Sequence, residues 1–95
     1  MTESAPGEPA LRCAYRRTGL AVREIWLQYL ALGGNADEVS VAAQLHGMLY
    51  LPAGDYNVLA HTVNEALDDL PEPERGPRVP YLPLQVRDGL PRWGG

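Results

Sequence analysis

The chain has no lysine and no phenylalanine, one cysteine, and no arginine between Arg23 and Arg75. Each shortage excludes something. Cys13 has no second cysteine to pair with, so the fold must hold without an intrachain disulfide, as suits a reducing compartment. No stretch approaches the roughly 20 apolar residues that a bilayer-spanning helix needs. Residues 1–9 have neither the basic start nor the apolar segment of a signal peptide, which predicts a cytoplasmic protein. The eight basic residues are all arginine, a bias that GC-rich coding produces ahead of any functional demand. From Glu24 to Glu74 the only charges are the carboxylates Glu24, Asp37, Glu38, Asp55, Glu65, Asp68, Asp69, Glu72 and Glu74. Nucleic-acid affinity rests on Arg and Lys contacts to phosphate, and this interval would repel a phosphate backbone.

What is present is helical periodicity. Residues 1–8 are polar and small and read as a flexible arm. Pro9 suits the first turn of a helix, where its missing N–H is not needed. Leu11, Ala14, Tyr15 and Thr18 then share a face, and Gly19 ends the pattern. Val22, Ile25, Trp26, Tyr29 and Leu32 form the stripe of a second helix, with Leu27 and Leu30 pointing elsewhere. Such a helix is apolar around most of its circumference and must be covered on several sides or lie at an interface. Gly33-Gly34 stops it. Asn35 reads as the N-cap of a third helix, with Glu38 at capping-box spacing, and that helix extends to about Leu49. On it Glu38, Val41, Ala42, Leu45, Met48 and Leu49 read as one side and Ser40, Gln44 and Gly47 as the other. A fourth helix opens at Pro52 or Asp55. Leu59, Thr62, Val63, Ala66, Leu67 and Leu70 are its core stripe; Asn57, His61, Asn64, Glu65 and Asp68 are its wet face. Pro71 and Pro73 stop it.

After residue 70 the character changes, with six of the nine prolines in the last 25 residues. Residues 78–86 read as extended or polyproline-like, yet Leu82, Leu84, Val86, Leu90 and Trp93 are too apolar for a plain linker. The sequence therefore predicts an all-α domain over 9–70, a small bundle of three main helices with a short N-terminal helix. An irregular Pro-rich extension covers 71–95.

No catalytic or metal site emerges. His46, His61 and Glu65 do not supply three converging ligands in this reading. Cys13 has no local signature of a catalytic thiol, and a lone cysteine is more often a small buried apolar residue. The carboxylates of Asp68, Asp69, Glu72 and Glu74 mark a charged helix end rather than an acid–base pair in a cleft. Gly33-Gly34 is a helix stop, not a phosphate cradle. The expectation is a non-enzymatic protein with no cofactor and no metal.

Two apolar features remain: the over-apolar second helix and the Pro-rich segment. They point to a regulatory or adaptor protein that binds another protein through Ile25, Trp26, Leu27, Tyr29 and Leu30 and through Tyr81, Leu82, Leu84 and Trp93. The acidic fourth helix favours a basic partner surface, such as that of a nucleic-acid-binding regulator. A homodimer with exchanged tails is a further arrangement, and a tail wrapping its own bundle is the plain structural one. The alternative function is a DNA-binding regulator of helix-turn-helix type, using the early arginines Arg12, Arg16, Arg17 and Arg23.

The strings Tyr15-Arg16-Arg17-Thr18-Gly19-Leu20, Ile25 through Asn35, Leu45-His46-Gly47 and Leu59 through Glu65 together resemble small uncharacterised helical proteins of actinobacteria, over residues 11–70. The resemblance implies an accessory regulator and carries no catalytic residue or cofactor with it.

Overall fold

A computed structural model describes residues 8–83, and they contain five helices and no strand. These are α1 (Glu8–Thr18), α2 (Val22–Ala31), α3 (Glu38–Leu45), α4 (Ala53–Asp68) and α5 (Glu72–Arg75). The all-α expectation holds. Leu84 and Trp93, and all but the last residue of the 1–8 arm, lie outside the described residues.

α4 is the central element and packs against α1, α2 and α5. Leu11 and Ala14 from α1, Ile25 and Tyr29 from α2, Val41 and Leu45 from α3, and Leu59, Val63 and Leu67 from α4 are buried in one cluster. The stripes read for α1 and α4 are the ones buried, with Tyr15 and Leu70 at the edge. The Thr18 hydroxyl closes α1 locally, donating to the Tyr15 carbonyl at 2.7 Å and accepting the Leu20 N–H at 3.1 Å. At the start of α2 the Glu24 carboxylate accepts the Ala21 N–H at 2.8 Å, satisfying one of the donors a helix start leaves open.

The corner between α2 and α3 needs both of its glycines, for different reasons. Gly33 has φ 101° and sits at the position after the C-cap Leu32. Its N–H donates to the Leu30 carbonyl, and the Gly34 N–H to the Tyr29 carbonyl, both at 3.0 Å, which is the Schellman pattern. At Gly34 a Cβ would overlap the Tyr29 ring. The Tyr29 hydroxyl then ties the turn together. It accepts the Ala36 N–H at 2.8 Å and the Asn35 N–H at 3.1 Å, and donates to Asp55 Oδ1 on α4 at 3.0 Å.

Two readings of α3 are corrected. Asp37, not Asn35, is its N-cap: the carboxylate accepts the Ser40 N–H at 2.8 Å. The Asn35 main-chain N–H, which a capping-box Glu38 would accept, goes to the Tyr29 hydroxyl, and Glu38 pairs with Arg23 at 2.9 Å instead. The helix also ends at Leu45 rather than near Leu49. A second Schellman pattern, Gly47 N–H to the Gln44 carbonyl and Met48 N–H to the Ala43 carbonyl, terminates it. Met48 therefore leaves the core stripe and is 77% exposed. Gln44, read as outward, is fully buried, and its Oε1 accepts the Leu51 N–H at 2.7 Å.

Candidate protein-interaction surface

Beyond α5 the chain runs back along α4 over residues 76–83 without helix or turn. Two asparagines on α4 hold it. Asn64 Oδ1 accepts the Val79 N–H at 2.7 Å, and Asn64 Nδ2 donates to the Val79 carbonyl at 3.0 Å. Asn57 repeats the arrangement on Leu82, with the N–H to Oδ1 at 2.7 Å and Nδ2 to the carbonyl at 2.8 Å. A side-chain amide offers one acceptor beside one donor, so it meets the N–H and C=O of a single extended residue as a neighbouring strand would. Flipping either amide would set donor against donor, so the network fixes its orientation.

The spacing has a physical origin. Asn57 and Asn64 are seven residues apart on a helix, or about 10.5 Å of rise. Val79 and Leu82 are three apart, or about 9.3 Å in a polyproline-type conformation. Both precede proline, Pro80 and Pro83, which disfavours helical geometry and holds them extended. Two turns of α4 thus match one turn of the segment, which runs antiparallel to the helix.

The entry to this segment is also tied. Arg17 Nε donates to the Arg75 carbonyl at 2.9 Å and its Nη2 to the Pro77 carbonyl at 2.7 Å. The guanidinium lies so close to Gly76 (φ 66°) that a Cβ there would overlap it. Arg75 Nε turns back to the Leu70 carbonyl at 2.9 Å, at the end of α4, where a cation also suits the helix dipole. Arg78 pairs with Asp68 at 2.6 Å, half exposed. Val79 inserts its side chain into the core and is 2% exposed.

Next to Asn57 lies an apolar cleft of about 420 Å³, lined by Leu32, Gly54, Asn57, Val58, His61 and Tyr81. Tyr81 stands at its mouth with its hydroxyl 2.9 Å from His61 Nδ1, and His61 Nε2 is 3.1 Å from Glu65 one turn along. Two groups near the α2–α3 corner are shifted in acidity. Burial pushes the Tyr29 phenol up, opposed by the N–H of Ala36 and reinforced by Asp55. The Ser40 N–H holds the Asp37 carboxyl below its ordinary value.

The residues expected to form an interaction surface separate into groups. Ile25 and Tyr29 are fully buried in the core and are not available as surface, because α4 covers that side of α2. Trp26 is half-buried and donates its indole N–H to the Ala36 carbonyl at 3.1 Å. Leu27 and Leu30 are exposed, at 53% and 37%, as the periodicity required. Tyr81 is exposed at the cleft and Leu82 is half-buried on α4. Leu84 and Trp93 are among the residues not described. Leu32, placed on the α2 core stripe, is 43% exposed and lines the cleft.

Sequence reasoning missed Asn57 and Asn64, assigning both to the wet face of α4. Asn64 is 2% exposed, and Asn57 is half-buried. The available signal was two asparagines seven apart at the edge of the core stripe, facing a later segment whose apolar-Pro pairs recur every three residues. Of the early arginines, Arg17 and Arg23 are engaged within the protein, while Arg12 and Arg16 are exposed. Cys13 is exposed rather than buried. Among the described residues no three His, Cys, Asp or Glu side chains converge as a metal site, and no helix is long and apolar enough to cross a membrane. No known protein family, curated protein or solved structure matches this chain.

Proposed function

We propose that this protein is a non-enzymatic regulatory or adaptor module that works by binding another protein. The observation that carries the reading is the open apolar cleft of about 420 Å³ between Leu32, Val58 and Tyr81; Leu27 and Leu30 are exposed on another side of α2. A small domain that leaves several leucines on one helix uncovered has apolar surface beyond what its own core uses. The carboxylates of Glu65 and Asp68 on α4 and of Asp69 at its C-cap favour a basic partner and would act mainly on encounter rate and partner choice. A second copy of the chain is the simplest other occupant of the same surface.

Direct DNA binding has less in its favour, since Arg17 holds main-chain carbonyls and Arg23 is paired with Glu38. If it occurred, affinity at low salt would fall steeply as salt rises. The test of the binding-module reading is capture of a partner from the source organism with full-length protein. Leu30→Asp and Leu32→Asp should each weaken capture tenfold or more, because each forfeits about 1.5–3 kcal/mol of side-chain burial. A protein recovered alone and monomeric, with both variants indistinguishable from it, would sink the reading.

A further inference from the structure

We propose that the α4 face carrying Asn57 and Asn64 is a recognition site for extended, proline-containing segments of a partner protein, and that residues 76–83 are its built-in occupant. The inference rests on the binding-module reading and names what that module takes.

Four asparagine hydrogen bonds hold the occupant on α4, and all four address main-chain atoms of Val79 and Leu82. They are therefore available to any chain that can place two extended residues three apart. Asn64 is buried, and both of its bonds go to this segment. A polar side chain in that place is satisfied only when an extended chain lies over it. Side-chain selectivity comes from three further features. The buried position of Val79 asks for an apolar residue of similar size. Asp68 pairs with Arg78, so a basic residue just before that apolar position is favoured. Proline after each anchored residue fixes the extended conformation before binding and lowers the entropic cost of docking. The segment recognised thus reads basic–apolar–Pro–any–apolar–Pro, as Arg78-Val79-Pro80-Tyr81-Leu82-Pro83 does here.

The test uses the full chain carrying Val79→Asp, which puts a carboxylate where the core requires an apolar group and so disfavours the tethered occupant. The probe is an end-blocked peptide with the sequence of residues 76–83, titrated by calorimetry. Saturable one-to-one binding is expected, at least tenfold tighter than to the unsubstituted chain, whose own segment competes at an effective concentration on the order of millimolar. Adding Asn64→Ala should weaken peptide binding by tenfold or more. A Val79→Asp chain that keeps its helical circular dichroism and does not bind, or binds regardless of Asn64, overturns the proposal. Should that variant lose its helices, the same peptide at millimolar concentration is added to the unsubstituted chain. With that peptide carrying a nitroxide spin label at one end, broadening of the Asn57 and Asn64 side-chain amide resonances then supports the proposal, and unbroadened resonances overturn it. Asn64-dependent dimerisation in sedimentation would assign the site to a second copy and overturn the partner reading. Failure of the peptide while capture still depends on Leu30 and Leu32 removes this inference and leaves the binding-module reading standing.

Discussion

α2 and α4 invert each other. α2 carries leucines on its outside, with Leu27 and Leu30 in solvent, whereas α4 keeps asparagines on its inside, with Asn64 nearly inaccessible. Each departs from the rule that apolar side chains go in and polar ones out, and the two departures have different physical standing. An exposed leucine costs a folded chain little and leaves surface free for association. A buried asparagine is tolerated only with its donor and acceptor both met, and here both are met by an extended chain. The contrast therefore separates a helix whose surplus looks outward for a partner from one whose surplus already has an occupant.

The contrast can be broken most strongly at the buried side of α2. Tyr29→Ala removes a core ring and the hydroxyl that holds Asn35, Ala36 and Asp55, and should cost about 3–5 kcal/mol in urea unfolding. Next comes α4: Asn64→Ala leaves the Val79 N–H and carbonyl unmatched, and should cost about 2–3 kcal/mol or release the segment, whichever is smaller. Asn57→Ala should cost about 1 kcal/mol, because that site is half-buried and water can replace the amide. Leu27→Gln should fall within about 0.5 kcal/mol of the unsubstituted chain, since its side chain is already in solvent. A stability loss at Leu27 as large as that at Asn64 would erase the distinction between the two helices.

A pH titration sharpens the same comparison. The folded state holds the Tyr29 proton more tightly than the unfolded chain, for which the ordinary value is 10.0. The folded chain thus binds more protons between the two values, and stability must fall as pH rises above about 10. Tyr29→Phe should flatten that decline, measured as melting temperature against pH with tyrosinate absorbance followed in parallel. At the acid end the sign is opposite. Asp37 is lowered by the Ser40 N–H, so its stabilising contribution is present above the ordinary carboxylate range and is lost as pH falls through the folded value.

Much of the helical layout was legible because it is written locally. The Gly19, Gly33 and Gly34 stops, the α1 and α4 stripes and the exposed Leu27 and Leu30 follow from periodicity and turn chemistry over a few residues. The α3 errors were local too. Asn35 and Asp37 are both residue types that cap helices, and it is the Asp37 carboxylate that takes the Ser40 N–H while the Asn35 main-chain N–H goes to the Tyr29 hydroxyl. Gly47 in a helical pattern reads as a tolerated glycine until its Schellman bonds are seen. The asparagine pair lay out of reach for a stronger reason. Helical phase places Asn57 and Asn64 at the border of the core, and whether a border residue is wet depends on what is laid over it. Here that is a segment 15 and 25 residues further along the chain. Ile25 and Tyr29 were misassigned as surface by the same logic in reverse: an over-apolar helix shows that some face is exposed without showing which.

Amide hydrogen exchange at Val79 and Leu82 tests the central claim, that α4 reads extended main chain through Asn57 and Asn64, most directly. Both amides should be protected in the unsubstituted chain, and Asn64→Ala should abolish protection at Val79 while the interior of α1 and α4 stays protected. Rapid exchange at Val79 in the unsubstituted chain, or protection there that survives Asn64→Ala unchanged, would contradict it.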